Sequence, residues 1–168
     1  YGITSNDPDY VIVAEGRTIN YENMEAAQNM ILNGAHLIAT NLDETCPTDN
    51  GHRPGCGVLV ACLEKATNKI AYSVGKPSPF MMRAARKRLG LQTAQTIMIG
   101  DTMETDIKGA VELGFKSVLV LSGNTSEIDL IHYPYKPNFV YKNLGEIDVN
   151  QLFDRISEKS KNTQEIEV

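Results

Sequence analysis

The chain has 168 residues and a net charge of −5, with 42% hydrophobic and 22% charged residues. That length allows one domain, or one domain with part of another, the balance is that of a globular protein, and the acidic charge argues against a nucleic-acid binder, which would carry a basic face. No apolar run reaches membrane-spanning length, no signal-peptide pattern opens the chain, and Cys46, Cys56 and Cys62 form neither a disulfide framework nor a metal-ligand spacing, so a reduced, cytoplasmic setting is expected, with neither nucleic acid nor membrane as a partner.

Residues 10–14 (YVIVA) read as a β-branched apolar strand. Residues 20–33 read as a helix, with Met24, Ala27, Met30 and Ile31 at helical spacing and Gly34 as its stop. Residues 36–40 (HLIAT) form a second strand. Residues 41–57, dense in Asp, Thr, Pro and Gly, read as a loop. A helix is expected over 58–67, with Cys62 as a small core residue, and a brief strand over 70–74. Ser78-Pro79 is a good helix start, with Ser as N-cap and Pro at the first helical position. That helix runs to about Leu89, where Gly90 ends it. A strand over 96–99, a helix over 105–113 stopped by Gly114, and strands over 117–121 and 138–141 complete the pattern. The tail, 151–168, is polar and charged, with one weak helical pattern and an end expected to fray. Strands alternating with helices predict an α/β fold with a largely parallel sheet.

The chemistry gathers just beyond strand ends. Asp101 and Asp106 lie five positions apart where strand 96–99 gives way to a helix. Carboxylates at the end of a buried strand are costly unless something positive sits against them, and a hard cation such as Mg²⁺ is the usual partner of such oxygens. Asp101 would reach the metal first. Asp106 would orient a metal-bound water or Lys76, or is simply a helix N-terminal charge. Thr102, Met103, Glu104 and Thr105 would offer N–H groups and hydroxyls to a bound phosphate. Lys76 follows Gly75 and precedes a capped helix, so an anion is favoured there. The other reading is an ordinary surface lysine, which the Gly-Lys-Pro-Ser-Pro context disfavours. Asn41, Asp43, Asp49, His52 and Arg53 crowd one loop, either a solvated loop or one that selects substrate. His36, His52 and His132 have no metal-ligand partner at a recognisable spacing.

With Lys76 and the Asp101/Asp106 pair identified, the chain resembles the haloacid dehalogenase (HAD) superfamily, and within it the NagD-type phosphatases. The matching pieces are Val74-Gly75-Lys76-Pro77-Ser78-Pro79, Ile99-Gly100-Asp101 through Asp106-Ile107, Ala110 to Gly114, and Val118 to Gly123. Upstream, Ile38 to Asp43 and Pro54-Gly55-Cys56-Gly57 resemble segments of that branch's cap domain. The resemblance implies a partial α/β cap over 1–70, the C-terminal half of a Rossmannoid core (a parallel sheet flanked by helices) over 71–150, and a tail over 151–168. It implies a Mg²⁺-dependent phosphatase of small phosphomonoesters, sugar phosphates or nucleotide monophosphates, working through an aspartyl-phosphate. In it Lys76 neutralises the phosphoryl group, Asp101 binds Mg²⁺ and Asp106 supports that site. Lys76, Thr102 to Thr105, Asn41 and Asp43 would contact a small phosphorylated metabolite.

One departure from the family pattern is large. Such enzymes carry DxDG after an apolar strand, the first Asp being the nucleophile. The one DxD here, Asp7-Pro8-Asp9, has its apolar run on the wrong side and Tyr10 in place of the Gly. Lys76 and a metal ligand stabilise charge but supply no nucleophile. The chain, which opens on Tyr1, is therefore expected to be the C-terminal portion of a phosphatase, inactive alone. A second expectation is a non-catalytic remnant that binds phosphate, metal or a protein partner. A receiver-type regulator, which also places Asp and Lys around Mg²⁺, leaves no role for residues 41–57. Oligomeric state stays open, a homodimer being one outcome.

Overall fold

The computed structural model describes residues 6–164, with side chains to 156. The expected fraying of the last residues lies outside them. The described chain forms two compact units, Tyr1–Arg88 and Leu89–Val168.

In the first unit, strand β1 (Tyr10–Val13) and strand β2 (His36–Ala39) pair in parallel, joined by helix α1 (Tyr21–Leu32). The Asn20 side chain caps α1 by accepting the Asn23 N–H at 2.8 Å, which satisfies one of the donors a helix start leaves open. A hairpin follows, strand β3 (Thr45–Thr48) antiparallel to strand β4 (Gly51–Pro54). Helix α2 (Cys56–Thr67) leads to strand β5 (Tyr72–Ser73), which pairs in parallel with β2 and gives the order β1-β2-β5. Helix α3 (Pro79–Arg88) closes the unit. Its core is Val13, Ile31, Leu37, Ala39, Cys56, Val60 and Leu63.

The second unit holds a parallel sheet of order β6-β7-β8: strand β6 (Ile97–Gly100), strand β7 (Lys116–Val120) and strand β8 (Phe139–Tyr141). β7 is central, and its near-continuous apolar run Val118–Val120 is buried, as a strand covered on both faces requires. Between β6 and β7 the chain makes one wide π turn, Met103–Ile107, that runs directly into helix α4 (Lys108–Leu113). Helix α5 (Val149–Gln164) follows β8 and places Leu152 against Val118 and Phe139.

Two expectations change. Residues 41–57 contain a hairpin rather than loop alone. Cys62 is exposed, because α2 buries Cys56, Val60, Leu63 and Thr67 and Cys62 falls off that face. The tail is helical to Gln164, in keeping with the helical pattern read there, and Leu152 anchors it. The chain divides into its two compact units after Arg88, and β5 is hydrogen-bonded into the first sheet. The α/β class with parallel sheets flanked by helices stands as expected.

Candidate active site

Parallel pairing sends the carboxyl ends of β1, β2 and β5 to one edge of the first sheet. Glu15, the Asn41–Asp43 segment and Lys76 follow those three ends. Gly75 is buried there, and a Cβ on it would meet the Thr40 carbonyl oxygen at 2.3 Å and Asn41 Cα at 2.9 Å. Only glycine permits that approach, and it sets the Lys76 backbone beside Asn41. Lys76 itself is exposed, and its peptide bond to Pro77 is cis. Asn41 turns inward on its own loop, its side-chain oxygen accepting the Asp43 N–H at 3.1 Å. Asp43 is exposed, and its carbonyl accepts the Gly57 N–H at 2.9 Å.

The hairpin beyond carries a cluster that sequence reasoning missed. Arg53 pairs with the Glu15 carboxylate, its Nε donating to Oε1 at 2.8 Å, and the Cys46 thiol donates to Oε2 at 3.2 Å. The Arg53 guanidinium, then the Cys46 thiol, hold the Glu15 carboxyl below its usual range, while Glu15 raises the thiol. Asp49 and His52 remain exposed.

In the second unit β6 ends at Gly100, and the chain then folds around two carboxylates. Asp106 is 2% exposed. Its Oδ2 accepts the backbone N–H groups of Asp101 and Thr102, both at 3.2 Å. A Cβ on Gly100 would lie 2.3 Å from that carboxylate, so glycine leaves the room Asp106 occupies. Asp101 is half-buried at the mouth of this turn. Its Oδ2 accepts the Asn124 N–H at 3.0 Å, its carbonyl accepts the Thr125 N–H at 3.0 Å, and the Thr102 hydroxyl lies 3.4 Å from Oδ1. A Cβ on Gly123 would lie 1.8 Å from Asp101 Oδ2.

Two of the expected phosphate contacts change character here. The Thr102 N–H is taken by Asp106 and the Met103 N–H by the Thr125 hydroxyl at 3.1 Å. The Met103 side chain is fully buried, and its carbonyl accepts the Tyr135 hydroxyl at 3.2 Å. Met103 therefore packs the floor of the turn, with its backbone N–H and carbonyl both engaged within the fold. Glu104 stays exposed, 3.4 Å from the Tyr133 hydroxyl, and Thr105 is half-buried. Burial first, and the Glu104 charge as well, push both phenols above their usual range, so they persist as donors.

Among the described residues no three of His, Cys, Asp and Glu gather to hold a metal. His36 instead lies against Tyr10 with ring centroids 5.7 Å apart, and His132 is exposed. Mg²⁺ keeps several waters and takes only one or two carboxylates. The fixed carboxylate of Asp101, in a cradle that a Cβ on Gly123 would fill, fits such an ion, with Asp106 bracing it from below.

Comparison with known proteins places this geometry. A HAD-hydrolase-like family model matches residues 73–147, which contain Lys76, Asp101 and Asp106. The ribonucleotide monophosphatase NagD of Escherichia coli (strain K12) is 39% identical over 149 residues, covering 89% of this chain and 58% of that protein. The chain belongs to the haloacid dehalogenase superfamily, in its NagD-type branch. The dihydroxyacetone phosphatase of Corynebacterium glutamicum (strain R) is 38% identical over 145 residues, covering 86% of this chain and 53% of that haloacid dehalogenase relative. The solved structure of NagD from E. coli K-12 superposes with a TM-score of 0.81 at 38% identity, over 89% of this chain and 58% of that one. The chain thus spans little more than half the length of the haloacid dehalogenase relatives it matches.

Sequence reasoning found the carboxylates and the segment ending at Gly123, but missed Asn124 and Thr125, which hold Asp101. The signal was their place just after β7, the same strand-end position that singled out Asp101.

Proposed function

We propose that this chain carries the metal- and phosphate-binding part of a magnesium-dependent phosphatase of small phosphomonoesters, of the sugar phosphate or nucleotide monophosphate class. The observation that carries this reading is the Asp101–Asp106 turn, in which one carboxylate is presented at the carboxyl end of a parallel strand and the other is buried beneath it. The phosphatase names of its relatives support the same reaction class.

In this reading Asp101 holds Mg²⁺, which when bound neutralises charge on a phosphoryl oxygen. Asp106 fixes the backbone of the turn. Within the first unit Lys76 is a compact positive charge suited to a phosphate, with Asn41 and Asp43 on the same sheet edge; within the second, Thr102, Glu104 and Thr105 flank Asp101. Attack on phosphorus needs an in-line carboxylate, and no Asp of this chain stands in a DxDG pattern after an apolar strand. An aspartyl-phosphate route therefore belongs to the whole enzyme. The three free cysteines are in keeping with a reduced, cytoplasmic setting, and a homodimer is compatible with this reading.

Titration calorimetry of the chain with MgCl₂ and with inorganic phosphate tests the reading. Wild type binds both; Asp101→Asn loses magnesium and Lys76→Ala loses phosphate. A wild-type chain that binds neither overturns it. Hydrolysis of p-nitrophenyl phosphate by the 168 residues alone, abolished by Asp101→Asn, would place the nucleophile within this chain. A chain that binds both ions yet gains no turnover when joined to a DxDG-bearing segment is the non-catalytic alternative.

A further inference from the structure

We propose that Asn124 and Thr125 are positioning residues for the Asp101 site: they clamp the turn after β6 from the segment just beyond the neighbouring strand β7 and aim the Asp101 carboxylate at its cation. The proposal rests on the reading of Asp101 as a magnesium ligand and adds residues to which nothing in the motif pattern points.

The clamp makes four contacts from two successive residues. The Asn124 N–H donates to Asp101 Oδ2 at 3.0 Å. The Asn124 side-chain amide donates to the Thr102 hydroxyl at 3.1 Å. That hydroxyl, with a lone pair now occupied, is left to direct its own hydrogen toward Asp101 Oδ1, 3.4 Å away. The Thr125 N–H donates to the Asp101 carbonyl at 3.0 Å, and the buried Thr125 hydroxyl accepts the Met103 N–H at 3.1 Å.

The chemistry of these contacts gives them their consequence. A carboxylate has about four lone-pair positions. The Asn124 N–H and the Thr102 hydroxyl take one on each oxygen and leave the others for a cation and its waters. A carboxylate held in this way does not need to be ordered when the ion arrives. Hydrogen-bonded outer groups of this kind typically contribute 10- to 100-fold in metal affinity. Asn124 is exposed, so its side chain has little part in the fold, whereas Thr125 is 5% exposed and bonded to a backbone N–H in the core. The two residues therefore separate positioning from folding.

MgCl₂ titration of the 168-residue chain, followed both by calorimetry and by the amide NMR shifts of Asp101, Thr102 and Asn124, tests the clamp. Asn124→Ala should weaken magnesium about 10-fold with an unchanged melting temperature. Thr125→Val should weaken it by at least as much, and Thr125→Ser, which restores the hydroxyl, should recover wild-type affinity. Asn124→Ala and Thr125→Val both within two-fold of wild type, with Asp101→Asn abolishing binding, would overturn the clamp and leave the metal reading standing. Magnesium binding that survives Asp101→Asn would remove the metal reading itself, and the clamp with it.

Discussion

The carboxylate of Asp106 accepts the backbone N–H of Asp101, 3.2 Å away, so the second aspartate of the motif holds the chain that bears the first. The same oxygen also takes the Thr102 N–H. Asp106 is thus a structural acceptor, whichever ligand Asp101 meets.

Asp106→Ala should therefore destabilise the second unit by about 1–3 kcal/mol, the cost of leaving buried N–H donors without an acceptor. Asp106→Asn, which retains an oxygen in the same place, should lose less. Urea denaturation of the two variants beside wild type measures the difference, and equal losses would show that the acceptor role is not what matters.

Gly123→Ala and Gly100→Ala should fail in different ways. A Cβ at 123 lies 1.8 Å from Asp101 Oδ2, at an exposed position, so the carboxylate must swing away. The expected result is magnesium affinity lower by about 10-fold or more with little change in melting temperature. A Cβ at 100 meets the buried Asp106 side chain at 2.3 Å. It should cost about 1–3 kcal/mol of stability, as overpacking does.

The thiol of Cys46 should react slowly with iodoacetamide at pH 8. Its hydrogen bond to Glu15 raises its pKa, so less of it is thiolate at a given pH, and the thiolate is the nucleophile. Exposed Cys62 is the internal comparison. Glu15→Gln should shift the alkylation profile of Cys46 to lower pH, and mass spectrometry of the two labelled peptides against time gives both rates.

Asp129 titrates below its ordinary value because the Ser126 hydroxyl, at 2.6 Å, and then the Ser126 N–H, at 2.9 Å, both donate to it. A depressed carboxylate contributes stability that is present above its unfolded pKa and is lost as pH falls through its folded pKa. Ser126→Ala should raise the Asp129 pKa toward the ordinary carboxylate value and shorten the acid range over which the 127–132 turn persists. Carboxyl carbon NMR shifts of Asp129 against pH report the change.

The strands were legible because residues 10–13, 36–39 and 97–100 are short apolar runs bounded by polar or Gly segments. The hairpin was not. Asn50-Gly51 is a hairpin-turn signal, but the flanking Thr-Cys-Pro-Thr and Gly-His-Arg-Pro lack the apolar alternation that marks a strand, and each contains a proline. In α2 the apolar residues outnumber the buried face, so composition alone drew Cys62 inward. At the site, spacing announced Asp101 and Asp106 but not which way each points. That depends on the wide turn and on Asn124 and Thr125, more than 20 positions away in sequence.

Beneath the turn, Met103 and Ile107 are fully buried against Leu119, within a ring of Leu121, Leu130, Tyr133 and Tyr135. Asp106 lies between those two anchors in sequence. The spacing of the carboxylates is therefore set by an oily floor as much as by any hydrogen bond. Trimming or enlarging a side chain in that floor, with no polar atom touched, should tilt the turn that presents the Asp101 carboxylate. In this fold a buried methionine underlies the turn that carries both carboxylates.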